Sequence, residues 1–83
     1  KMDWKQQKEE QARLRKLEND RKKTEDAIEA AEQRIKELEE AFLDSGIATN
    51  SAKLGELHKE YEEKQQELEE LYENWEKLMQ DFD

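Results

Sequence analysis

The feature that most restricts this chain is a run of positions, mostly apolar, spaced alternately three and four residues apart. With heptad position a set at Leu14, the run reads Leu14, Leu17, Arg21, Thr24, Ile28, Ala31, Ile35, Leu38 and Phe42. Four heptads held in one phase describe a helix that buries a narrow seam against another helix. A second run, Leu54, Leu57, Tyr61, Lys64, Leu68, Leu71, Trp75, Leu78 and Phe82, has the same period in a different phase. Continued past Phe42, the first frame would place a-positions at Thr49 and Glu56, where no apolar residue stands. The shift falls on Asp44 to Ser51, the one stretch where helical patterning stops. Gly46 there suits a helix C-terminus, and Thr49, Asn50 and Ser51 suit the N-cap of a new helix.

These features predict an all-α fold, a two-helix antiparallel coiled-coil hairpin forming a single domain over residues 1–83. Helix 1 is expected over about residues 5–44, a turn over about 45–50 and helix 2 over about 51–82. Helix 1 then overhangs helix 2 at the open end, and its seam turns polar before Leu14, at Gln7 and Glu10. Two registers satisfy a-against-d packing. One sets Ala31 opposite Leu68, Thr24 opposite Trp75 and Arg21 opposite Leu78; the other sets Ala31 opposite Tyr61, Thr24 opposite Leu68 and Leu17 opposite Trp75. The first places small residues against the largest ones and is therefore the expected register. A homodimer of straight helices is the competing arrangement, disfavoured by the phase shift, so the isolated domain is expected to be monomeric.

Composition narrows the function classes. With 33% hydrophobic and 47% charged residues in 83, the chain cannot enclose a large core, and a folded catalytic pocket is not expected. Absence of proline and only two glycines fit long helices. No cysteine is present to form a disulfide or a thiolate metal site. The longest apolar runs are far short of a membrane span, so a soluble segment with no membrane partner is expected. Lys1 in place of a start methionine suggests a fragment of a longer protein.

No nucleophile motif, phosphate-binding glycine loop or metal-ligand spacing occurs, which predicts no catalytic activity for this segment and neither a metal nor another cofactor in it. His58, the single histidine, lies at an edge position with no second ligand near it. The glutamate runs read as solvated faces, since paired carboxylates need an enclosing pocket for acid–base work. Arg21 and Lys64 stand in the seam, where a charge fixes register at some cost in stability; a cation–π contact of Arg21 with Trp75 is the functional alternative. Trp75 and Phe82 read as seam core, with Tyr72 and Met79 flanking it.

The formal net charge is -9, yet residues 1–23 carry nine Lys or Arg against five acids. Lys1, Lys8, Arg15 and Lys22 recur every seven residues at position b, with Lys16 and Lys23 beside the last two at position c. On helix 2 the matching positions hold Glu62, Glu63, Glu69, Glu70 and Glu76. Such a basic stripe could follow a phosphate backbone without reading sequence, and a solvated helix face has the same appearance.

Three segments in order carry a family resemblance. The opening Lys1-Met2-Asp3-Trp4-Lys5-Gln6-Gln7-Lys8-Glu9 resembles the Lys-Leu-Ser-Tyr-Lys-Glu-Gln-Arg-Glu entry of the C-terminal coiled-coil domain of ABC-F (Uup-like) ATP-binding-cassette proteins. Lys53-Leu54-Gly55-Glu56-Leu57 is similar to that domain's start of helix 2, and Leu71-Tyr72-Glu73-Asn74-Trp75-Glu76-Lys77-Leu78 to its ending. The resemblance implies a non-catalytic accessory hairpin behind the cassettes of a cytoplasmic ATPase, with ATP and Mg bound in the parent protein. It also implies action on ribosomes or DNA, with Lys8, Arg15, Lys16, Lys22 and Lys23 as the nucleic-acid-binding residues. The alternative expectation is a structural or protein-interaction arm that packs on the protein's own ATPase cassettes or on a protein partner, without binding nucleic acid.

Overall fold

Between Trp4 and Phe42 the chain contains no glycine or proline and is rich in Glu, Lys, Gln, Arg and Ala, residues that lose little in adopting a helix. In the computed structural model, which describes residues 3–82, this stretch is one helix, α1 (Trp4–Phe42). A one-turn helix, α2 (Ser45–Ala48), and a second long helix, α3 (Ser51–Phe82), follow. The molecule is a rod with principal extents of 70 × 16 × 14 Å.

α1 and α3 lie antiparallel. Near the tip Phe42 stacks on His58, with ring centroids 4.6 Å apart, and meets Tyr61 edge-on at 5.5 Å. At the other end the Arg21 guanidinium lies 5.8 Å from the Phe82 ring centroid. Midway, Trp75 Nε1 donates a hydrogen bond to Glu25 Oε2 at 2.9 Å. These pairs follow the register that sets Trp75 beside Thr24, the one matching small residues to large.

Burial is uneven across the seam. Ile28, Ala31 and Leu38 of α1 are buried, Leu38 to 1% exposure, whereas no residue of α3 is. Bulky α3 residues such as Tyr61, Leu68 and Trp75 spread over the smaller α1 positions and cover them. Their own outer surfaces meet no third helix, so they stay half-buried.

Polar seam residues resolve locally. Thr24 Oγ1 donates to the Asp20 carbonyl at 2.8 Å, and the Lys64 ammonium leaves the seam to reach Glu67 at 3.0 Å. Arg21 differs from expectation. Its aromatic partner is Phe82 rather than Trp75, because Trp75 is turned toward Glu25; Arg21 Nε is buried without a hydrogen-bond partner.

The tip also departs from a plain turn. α1 closes with three-residue hydrogen bonds, Leu43 N–H to Glu40 and Asp44 N–H to Ala41, both 3.1 Å, which tighten its last turn. Asp44 then caps α2, its carboxylate accepting from Gly46 N–H at 2.8 Å. Asn50 Oδ1 accepts from Lys53 N–H at 3.1 Å, the N-cap geometry for α3. Gly46 is therefore inside a helical turn rather than terminating α1, and it has no positive φ. What it supplies is room: a Cβ there would stand 3.2 Å from Asp44 Oδ1.

Two stability outcomes follow from this packing. Leu38→Ala should remove about 2–5 kcal/mol, enough to melt much of so thin a domain, as read by thermal unfolding followed with circular dichroism. Gly55 sits inside α3 facing open space, where a Cβ would meet nothing within 4 Å. Gly55→Ala should therefore stabilise the hairpin by about 0.8–1 kcal/mol in the same melts.

Candidate nucleic-acid interface

The antiparallel fold-back determines what surrounds the basic stripe. α3 ends at Phe82 against Arg21, so the first four turns of α1 extend past it as a single exposed helix. Lys8, Arg15 and Lys16 lie on this overhang, and Lys22 and Lys23 follow where α3 begins to cover α1; all five are exposed. From Lys8 to Lys23 they form a line roughly 22 Å long by the helical rise. Lys1 lies outside the described residues.

Three basic groups are ion-paired, and the remainder, the stripe among them, are not. Arg13, Arg34 and Lys64 have carboxylate partners within ion-pair distance, Glu10, Glu37 and Glu60, and Glu67 respectively. Among the described residues no such pair involves Lys8, Arg15, Lys16, Lys22 or Lys23. Lys8 instead places its ammonium 5.2 Å from the centroid of the Trp4 ring. Lys22 and Lys23 share a shallow surface depression with Asn19, Asp20 and Asp26. Lys23 also borders an open groove between the helices with Asp20, Lys77 and Asp81, so acids accompany the stripe at its inner end. The glutamates at Glu62, Glu63, Glu69, Glu70 and Glu76 are exposed on α3.

Besides Trp75 with Glu25, two interhelical hydrogen-bonded pairs at the seam edges were not evident from the sequence. Arg34 Nε and Nη2 donate to the two Glu60 carboxylate oxygens at 2.6 and 2.8 Å, a bidentate bridge between position g of each helix. On the other edge Tyr72 Oη donates to Glu32 Oε1 at 2.7 Å. Both follow from the g–g and e–e neighbours of an antiparallel pair, but naming the partners requires the register. The hydrogen bond from Arg34 holds the Glu60 carboxyl below its ordinary pKa, and the bonds to Glu60 and Glu37 raise that of Arg34. The bond to Glu32 raises the Tyr72 phenol, and the Arg13 bond lowers the Glu10 carboxyl.

The arrangement offers an extended line of cations, and the depressions beside it are open to solvent. His58 is engaged with the Phe42 ring. Among the described residues no cluster of His, Cys, Asp or Glu could hold a metal ion, and no helix is long and apolar enough to cross a membrane.

The sequence profile of one protein family, the ABC transporter C-terminal domain, matches residues 1–80. The chain belongs to that family. The match spans the entry, the start of the second long helix and the Trp-containing ending that carried the resemblance in the sequence, and it makes this hairpin an accessory domain of an ABC protein. No curated protein and no solved structure matches the chain at a significant level.

The Arg34–Glu60 bridge of this family member gives a pH signature. Glu60 has a depressed folded-state pKa, so its contribution is present above the ordinary carboxylate range and is lost as pH falls through the depressed value. The stability advantage of the native chain over Glu60→Gln should be full at neutral pH. It should shrink below about pH 4.3 and vanish in stronger acid, as measured by paired thermal melts across pH.

Proposed function

We propose that this domain is a non-catalytic arm of an ABC-type ATPase that binds nucleic acid, DNA or ribosomal RNA, through Lys8, Arg15, Lys16, Lys22 and Lys23. ATP and Mg belong to the cassettes of the parent protein. One observation carries the reading. These five cations share one exposed face of α1 at heptad spacing, and none has an ion-pair partner among the described residues. Three of the five lie on the overhang of α1. Cations arranged in this way contact phosphates and read no base edges, so the binding is independent of sequence.

The test is a salt titration of binding to duplex DNA, single strands and ribosomes. For DNA, four to five neutralised phosphates give a slope of log affinity against log salt between about -3 and -4.5. Replacing Lys8, Arg15, Lys16, Lys22 and Lys23 by glutamate should abolish binding while the helical circular-dichroism signal persists, because all five sites are exposed. Unchanged binding by that variant, or no binding at low salt, overturns the proposal.

A second reading has its own support. Trp4 is 72% exposed, Tyr72 44% and the seam residue Leu14 38%, apolar surface that an arm packed on its own ATPase cassettes or on a protein partner would cover. Protection of Trp4 and Tyr72 in the full-length protein, absent in the isolated hairpin, would favour this arm.

A further inference from the structure

Trp4 does not contribute to holding the hairpin together. It stands about 26 Å along α1 from Arg21, where α3 ends, and is 72% exposed. Its contact is with Lys8, one turn further along the helix, whose ammonium lies 5.2 Å from the ring centroid. The ring projects between two shallow depressions, one bordered by Lys5, Lys8, Glu9 and Ala12, the other by Gln7, Lys8 and Gln11. A large indole, left in water and adjoining the outer end of an unpaired basic stripe, combines the two elements of a single-strand site. These are a flat surface for stacking and a cationic track for the backbone. In a duplex the base faces are already stacked on one another, and a side chain on a convex helix reaches them only at ends or gaps.

We propose that Trp4 is a base-stacking residue and that the ligand of this surface is single-stranded nucleic acid. Trp4 holds an unpaired base, Lys8 lies beside its phosphate, and Arg15, Lys16, Lys22 and Lys23 continue along the strand. This inference rests on the nucleic-acid reading given above and adds the class of ligand and the residue that selects it.

The experiment uses residues 1–83 carrying Trp75→Phe, so that Trp4 is the only tryptophan among them. Oligothymidylate, blunt duplex DNA and inorganic polyphosphate are titrated at matched low salt. Oligothymidylate should quench Trp4 emission and bind at least about tenfold more tightly than duplex. Polyphosphate, which has no bases, should bind without comparable quenching. Trp4→Ala should weaken oligothymidylate binding about 5- to 100-fold and leave polyphosphate binding within about twofold, whereas Trp4→Phe retains most of the affinity. The inference is overturned if Trp4→Ala binds oligothymidylate as well as its parent, or if saturation leaves Trp4 emission unchanged. Those outcomes leave the phosphate contacts of the stripe standing. Absence of binding to all three ligands overturns both the stripe and the stacking residue.

Discussion

The structure depends on one contact, the antiparallel seam between α1 and α3. Ile28, Ala31 and Leu38 are its buried apolar positions, and every α3 residue facing them retains some exposure to water. Two helices enclose little apolar surface, so the edges of the seam matter more than they would in a four-helix bundle. Arg34 with Glu60 closes one edge and Tyr72 with Glu32 the other. Both pairs are substantially solvent-exposed and screened, and they act chiefly by fixing register.

Register in turn decides where the charges go. Folding back at Asp44–Asn50 stops α3 opposite Arg21 and leaves the start of α1 uncovered. The basic stripe of α1 and the acidic stripe of α3 become outward faces of different helices. An accessory domain with a net charge of -9 can in this way present a local cationic surface. The acidic neighbours Asp20, Asp26 and Asp81 gather where α1 enters the hairpin, beside Lys22 and Lys23.

Much of this was legible before folding because coiled-coil patterning is local and redundant. Each of the heptads around Ile28 or Leu71 repeats the same message, and the phase shift after Phe42 signals a fold-back. Asn50 as the N-cap of α3 is equally local. Gly46 was readable as a break but not in its role, since its side-chain-free α-carbon makes room for the Asp44 carboxylate within α2. Arg34 gave no signal, because a g-position arginine among many charged residues acquires meaning only when Glu60 is brought across from it. Arg21 was recognised as an anomalous seam charge, but its aromatic partner depended on which way Trp75 turned.

Helical period, capping and charge spacing are properties of neighbouring residues, so the order of amino acids was enough to set the two helices, the direction reversal, the family and the composition of the stripe. The edge pairs, the partner of Arg21 and the isolation of Trp4 and Lys8 on an uncovered helix emerged only when the chain folded back. Those depend on contacts between residues up to about sixty positions apart: size matching of small against large residues favours one alignment in the sequence, but which side chains then meet across the seam is decided only by the folded geometry.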